Sequence, residues 1–357
     1  MLRKFFLGAI VCLSFISGFS QTDSTKPAAP TSPSPTITGS IDVYYRYNFN
    51  DPKSGFTNNY TSFTNSQNSF ELGMASIRAD HSFGKASATI DLGFGRRAEE
   101  FAYGNPDHTT LFAVKQAYLS YAISDKFKLT MGKWATHIGY ELVDAYLNRN
   151  YSMDYMFSYG PFSHTGLKAD IVLGKKSGLM LGVANTSDIV STISSRKYAI
   201  AQFSTGTTDD KVKLYLNYQG SYGGSFNTTQ FDAVLTAAIT SKFSIGYNGT
   251  VQFSKSDSSR TWWGSAVYLN VDPISTFGIT LRAEYFDNKD GAVGFGTPIA
   301  GTSIFDVTLS PNFKVGNLTI IPELRLDAGK DEIFAKSDGT TGTKTTVTAL
   351  LAATYHF

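Results

Sequence analysis

From residue 36 to the last residue the chain alternates apolar and polar side chains with a period of two. Ile37, Gly39, Ile41, Val43, Tyr45, Tyr47 and Phe49 fall on one face, and Thr38, Ser40, Asp42, Tyr44, Arg46 and Asn48 on the other. The same rhythm returns in Phe243–Phe253, Phe277–Tyr285, Phe305–Phe313 and Leu318–Leu326. A period of two places successive side chains on opposite faces of a strand. The pattern predicts sixteen strands, at about 36–49, 69–83, 86–97, 109–123, 127–138, 164–174, 178–188, 198–206, 211–221, 229–240, 243–254, 261–272, 276–288, 302–315, 317–328 and 345–357.

Seven of the connections are tight, among them Gly84-Lys85, Ser241-Lys242 and the junction at Gly316. The other eight are generally longer and polar, such as 50–68, 139–163 and 329–344, and the two kinds alternate along the chain. Short turns at one end and long loops at the other are the layout of a transmembrane β-barrel. In hydrocarbon an unpaired backbone N–H or C=O costs several kcal/mol, so such a sheet must close on itself. A secreted sandwich or propeller would have strands nearer five or six residues and connections of one length class. The expected fold is an all-β, antiparallel up-and-down transmembrane barrel of about 16 strands. Its lumen should be too wide for side chains alone to fill.

Composition agrees. Aromatics make up 14% of the residues, and after residue 20 no apolar run is long enough for a membrane helix. Residues 1–20 read as a signal peptide: Arg3 and Lys4, an apolar stretch from Phe5, then Gly18 and Ser20 before Gln21. Residues 21–35 form a Pro/Ser-rich periplasmic linker, and 36–357 the barrel. The one cysteine, Cys12, lies in the signal, so thiol chemistry and disulfides are excluded from the mature chain. Without Arg3 and Lys4 the 31 Lys and Arg become 29, equal to the 29 Asp and Glu. Such a balance offers nothing to nucleic acid. The partners expected are outer-membrane lipid and small polar solutes, with no cofactor and with a homo-oligomer left open.

Parity assigns to the lumen wall Asp42, Arg46, Arg78, Asp80, Asp91, Asp170, Arg282, Glu284, Glu323, Arg325 and Asp327, and Arg96 and Arg97, at the end of the third strand, are counted with the wall as well. Mixed signs imply weak ion selectivity, and each charge can equally serve to brace the wall through a cross-strand partner. The stretch 139–163 breaks the strand pattern and is long for a connection. Folded inward, it would narrow the pore. Glu141, Asp144 and Asp154 would supply carboxylates, with Arg149 a cation, and Arg46, Arg78, Arg96 and Arg97 would face them. Tyr140, Tyr146, Tyr151 and Tyr155 would be stacking surfaces for solutes. Folded outward, the stretch would be a lid.

The run GKWATHIGYE, then LNRNYS, then FSYGPFSHTG is similar to the third long loop of the OmpL-like β-barrel porins of Bacteroidetes. The matching positions are Gly132, Lys133, Gly139, Glu141, Asn148, Ser152, Pro161, Phe162, His164 and Gly166. The terminal Phe357 resembles the assembly signal of outer-membrane barrels. The resemblance implies a passive channel for small solutes at the cell outer membrane, without naming the solute. An adhesive barrel acting through its loops is the second reading, and an outer-membrane hydrolase the third. The sequence has neither a G-x-S-x-G elbow nor an H-E-x-x-H pair. A plugged transporter would need about 22 strands.

Overall fold

The computed structural model describes residues 34–53, 55–102, 113–221, 226–339 and 342–357. The expected signal peptide, nearly all of the expected linker and the expected start of the fourth strand at 109 lie outside them. Fifteen strands follow one another: β1 Thr36–Asn48, β2 Ser69–Phe83, β3 Ala86–Phe94, β4 Val114–Ser124, β5 Phe127–Ala135, β6 Ser163–Val172, β7 Gly178–Ala184, β8 Tyr198–Gly206, β9 Val212–Ser221, β10 Asn227–Ala238, β11 Phe243–Lys255, β12 Ser259–Ile274, β13 Phe277–Asp287, β14 Ser303–Val315 and β15 Leu318–Gly329. The C-terminal strand, Thr345–His356, is the sixteenth. Each pairs antiparallel with its neighbours, and the C-terminal strand closes the ring on β1, from Ser40 opposite His356 to Asn48 opposite Thr348. Phe357 completes the seam by exchanging backbone hydrogen bonds with Gly39 at 2.9 and 3.0 Å. Closure leaves no edge, as the bilayer requires.

The outward set is apolar: Ile41, Val43, Ile77, Ile90, Leu119, Leu181, Leu216, Leu281 and Leu324 are all exposed. Aromatics collect toward both rims, with Phe83, Tyr121, Phe313 and Tyr355 near the turn end and Phe49, Phe94, Trp263 and Phe305 near the loop end. Interfacial aromatic girdles of this kind are typical of membrane barrels.

Three expectations need correction. The third strand stops at Phe94 rather than 97, because Gly95 takes φ 114° against the Gly73 backbone, a conformation that a side chain would obstruct. Arg96 and Arg97 consequently lie on a short helix, α1 Arg96–Phe101, and not on the wall. The two length classes also fail to alternate strictly, since the loop-end connection 256–258 has only three residues. Third, the lumen is packed. Its inward side chains are buried along most strands, against α1, the 49–68 connection and the segment 136–162. Among the described residues four apolar clusters sit inside the ring, including one of Tyr155, Met156, Trp262, Tyr268 and Phe286, and another of Phe63, Phe101, Val143, Met153, Phe157 and Phe162.

Candidate functional site

The segment joining β5 to β6 spans 136–162, a few residues longer at its start than the sequence suggests. It turns inward and crosses the lumen. Its root lies on β5 and β6, and the middle of its course meets β13, eight strands round a ring of sixteen. There Arg282 Nη1 donates to Glu141 at 2.6 Å, and Glu284 accepts the N–H groups of Tyr155 and Met156 at 2.7 and 2.9 Å.

A crossing segment with little secondary structure carries backbone donors that no ladder satisfies, and buried donors must find acceptors. Side chains of the wall, and Asp188 of the β7–β8 connection, provide them. Asp232 accepts from Gly139 N at 3.1 Å, and Asn248 from Tyr140 N at 3.2 Å. Glu323 takes Tyr151 N at 2.7 Å and Ser152 N at 3.1 Å, while Asp188 takes Phe162 N and Ser163 N at 2.8 and 2.7 Å. Within the segment, Asn148 bridges both backbone groups of Leu142, and Asp154 caps the five-residue helix α2 Tyr155–Tyr159 through Phe157 N. Arg149 forms a two-pronged ion pair with Asp272 at 2.7 and 2.9 Å and donates to Thr280. Bonds to a charged acceptor are the stronger kind, so the segment is held across the barrel at several independent points.

Its predicted residues therefore come together, but not in the expected pairs. Arg46 binds the 55–68 stretch, at Thr57 O (2.8 Å) and Ser66 O. Arg78 pairs with Asp80 on its own strand at 2.6 Å. Arg97, fully buried, lies 3.6 Å from Asp42 and against the rings of Phe63 and Tyr151. Arg96 reaches Glu100 at 3.3 Å and Glu71 at 3.9 Å. The groups that meet the segment's acids are instead Arg282 for Glu141, Lys115 for Asp144 at 2.5 Å, and the Tyr268 hydroxyl for Asp154 at 2.6 Å. Tyr151 and Tyr155 are not open stacking surfaces. Both are buried, their hydroxyls donating to Asp42 and to Asp327 at 2.5 and 2.9 Å. Tyr140 stacks on Tyr268 with ring centres 4.0 Å apart, and Tyr146 on His356 at 4.7 Å.

Asp306 receives Arg282 at 3.3 Å and Arg325 at 2.8 Å, and Arg325 also pairs with Asp327 at 2.7 Å. Around these two arginines stand five carboxylates: Glu141, Asp154, Glu284, Asp306 and Asp327. Burial, and then the neighbouring Asp154, push Glu141 up to about 8 against the pull of Arg282. The buried ring of His137, which meets Tyr218 O at 3.1 Å, is lowered to about 4 by desolvation.

Beside the crossing segment, toward the turn end, a recess of about 220 Å³ remains. It lies between residues 142–147 and the wall of β1–β6, and Arg78, Asp91, Lys115, Lys128, Asp144 and Lys168 line it with Tyr118 and Tyr146. Among the described residues, no group of three or more His, Cys, Asp or Glu is arranged to hold a metal ion.

Lys115, Tyr268 and Asp272 are site residues that the strand reading did not single out. Even-numbered Tyr268 and Asp272 share the inward parity of Asn270 on β12, so alternation marks them. Lys115 carries no such signal, because a register shift at Asp91/Leu92 reverses its face.

A family model described as "Putative beta-barrel porin-2, OmpL-like" matches residues 34–357. Among solved structures, the anion-selective porin from Comamonas acidovorans is 10% identical with a TM-score of 0.58, covering 91% of this chain and 99% of its own. The outer membrane channel DcaP of Acinetobacter baumannii is 10% identical, with a TM-score of 0.58 and coverages of 96% and 100%. The trimer form of OmpT, an outer membrane protein of Vibrio cholerae, is 9% identical, with a TM-score of 0.57 and coverages of 91% and 99%. At such identities the likeness is one of fold. A comparison with curated proteins finds no match.

Proposed function

Since the chain belongs to the OmpL-like β-barrel porin family and is an outer-membrane porin channel, we propose that solutes cross it passively, with the segment 136–162 as its constriction. The observation that carries this reading is the pair of contacts from residues 141 and 155 to Arg282 and Glu284, on the strand opposite the segment's root. A segment fixed at both its root and the far wall divides the lumen. What passes must go beside it or wait for part of it to undock. The solutes are small and polar, and charge selectivity over the whole pore is weak, because opposite charges lie in direct contact along its course.

Family and fold point to a channel rather than an enzyme, and we read the chain as passing solutes without chemistry or cofactor. Its apolar belt addresses it to lipid. The trimer form of the Vibrio cholerae protein supports a homo-oligomer here too. A planar-bilayer recording tests the channel. Stepwise ohmic conductance is expected; a folded, inserted protein that stays silent would leave the adhesive reading, carried by the loop end, in its place.

A further inference from the structure

The apolar cluster of Phe63, Phe101, Val143, Met153, Phe157 and Phe162 contains no residue of a wall strand. Its members come from three connections: the 55–68 stretch between β1 and β2, the helix α1, and the crossing segment. The ring of Phe63 is centred 6.0 Å from that of Phe157 and 5.4 Å from that of Phe162, and the Arg97 guanidinium of α1 lies 4.8 Å from its centre. Phe63 is completely buried. The constriction is therefore packed against its neighbouring connections as well as tied to the wall.

Polar contacts hold the 55–68 stretch on every side. Glu100 of α1 accepts Phe63 N at 2.6 Å and the Asn65 amide at 3.3 Å. On α2, Ser158 Oγ accepts Ser62 N at 3.0 Å, and the Tyr159 hydroxyl donates to Tyr60 O at 2.8 Å. Toward the connection after β15, Asn58 and Ala335 exchange two bonds of 2.8 Å, and the Tyr60 hydroxyl donates to Ile333 O at 2.6 Å. The backbone works against this arrangement at one point. Phe63 has φ 76°, in the left-handed region, where a bulky side chain is strained; Asn58 and Asn68, at 51° and 50°, are of the kind that tolerates it. A strained residue persists only where its surroundings over-determine it, and such residues gather at clamps and switches.

From these contacts we infer that residues 55–68 are a latch on the constriction: Phe63, seated between Phe157 and Phe162, fastens the stretch over α2 from the loop end, and α2 leaves the wall only after the latch has lifted. Phe63 is a positioning residue, since it acts on the solute path through the two rings it touches. This rests on the constricted-channel reading and adds a second gate, in series, to it. Opening then takes two steps, the lifting of 55–68 and the release of α2 from Glu284. The strain at Phe63 favours the first step, and the loss of its buried ring contacts opposes it.

The test pairs single-channel recording with thiol labelling of the full barrel in a bilayer. Thr64 is completely buried next to Phe63, and the one native cysteine, Cys12, falls in the expected signal peptide. Thr64→Cys therefore gives a parent protein whose thiol meets a charged methanethiosulfonate reagent when the latch lifts. Adding Phe63→Ala removes the ring and keeps the strained backbone, so labelling rate and occupancy of high-conductance states should both rise about a hundredfold. Asn58→Gly suits the backbone and removes both bonds to Ala335; it should raise both readouts about tenfold, and it keeps the inference testable if Phe63→Ala fails to fold. Glu284→Leu acts on the second step, so it should raise conductance occupancy while labelling stays within about twofold of the parent. General loosening of the fold would not separate the two readouts in this way. A latch variant that folds and changes only one readout, or neither, would overturn the inference, as would labelling that climbs with Glu284→Leu as steeply as conductance does. Each of those results leaves the parent conducting and the channel reading intact. A bilayer silent with the parent and every variant would overturn the channel reading, and the latch with it.

Discussion

Glu284 offers the most direct way to loosen the crossing segment without cutting it. Its side chain is fully buried on β13 and accepts two backbone N–H groups, from Tyr155 at 2.7 Å and Met156 at 2.9 Å. Glu284→Leu keeps roughly the volume and removes both acceptors. Each hydrogen bond to a charged group is worth about 1.5–3 kcal/mol, so the gross loss is about 3–6 kcal/mol. Relief of repulsion from Asp154 and Asp306, its like-charged neighbours, offsets part of that. A net loss of about 3 kcal/mol in the docking of residues 151–159 follows, equivalent to about a hundredfold in the docked-to-undocked ratio. Glu284→Gln retains one carbonyl acceptor and should shift the ratio by about tenfold, less than Leu does. Single-channel recording reads this as the frequency and dwell time of high-conductance states, with wild type lowest, Gln intermediate and Leu highest. A Leu variant that folds, inserts and opens no more often than wild type would refute the idea that wall carboxylates hold the constriction.

Deleting 142–158 should raise unit conductance in the same recording, and an unchanged value would place the segment away from the ion path. Raising the pH should loosen the constriction. Glu141, held up to about 8 when docked, keeps a proton that the undocked carboxylate gives up near 4.5, so docking weakens as pH rises between those values. Opening frequency should climb across that window, and Glu141→Gln should flatten the profile. Gly73→Ala should destabilise the β1–β2 pair and displace Tyr151, because an added Cβ would overlap Asp42 Oδ1 and come within 2.6 Å of the Tyr151 hydroxyl; a lower unfolding temperature with altered conductance is the expected readout. Arg97→Ala should leave Asp42 buried without its ion-pair partner, a loss of about 3 kcal/mol in thermal or denaturant unfolding.

The wall was legible because lipid enforces it. One face of each strand must be apolar, so Ile41, Val43, Ile245, Leu281 and Leu324 reveal strand and face together, with no tertiary information needed. The inward course of 136–162 was suggested by its length, and its membership in the site by the failure of alternation after Trp134. The pairings were not legible. Which cation meets Glu141 depends on bringing β5 and β13 across a ring, a separation of 141 residues between Glu141 and Arg282. Arg96 and Arg97 left the wall because of a positive φ at Gly95, and Lys115 joined the site because of a register shift at Asp91/Leu92. Both are single-residue events that a period of two averages away. The contacts of inward aromatics were hidden in the same way. Alternation marks Trp262 as inward beside Tyr268 but not its partner across strands: Trp262 packs inside against Phe286 while Trp263 lies outside against Tyr285.

The inward rings and the acids serve one arrangement. A segment crossing a wide lumen cannot be held by apolar contact alone, since its unladdered N–H groups would be buried without acceptors. Carboxylates alone would satisfy those groups but repel one another. The site has both: rings of Tyr268, Trp262 and Phe286 exclude water beside α2, while Arg282 and Arg325 stand among the five acids. Excluding water strengthens each bond to Glu284 and Glu323, and it raises the cost of keeping Glu141 and Asp154 both ionised. The same burial that fixes the constriction therefore makes its grip depend on a proton. An apolar clamp would have been insensitive to pH, and a solvated acidic one would have been weak. Glu141→Gln separates the two contributions: it should preserve docking at pH 8, where wild type has already loosened, and leave the Glu284 and Glu323 bonds in place.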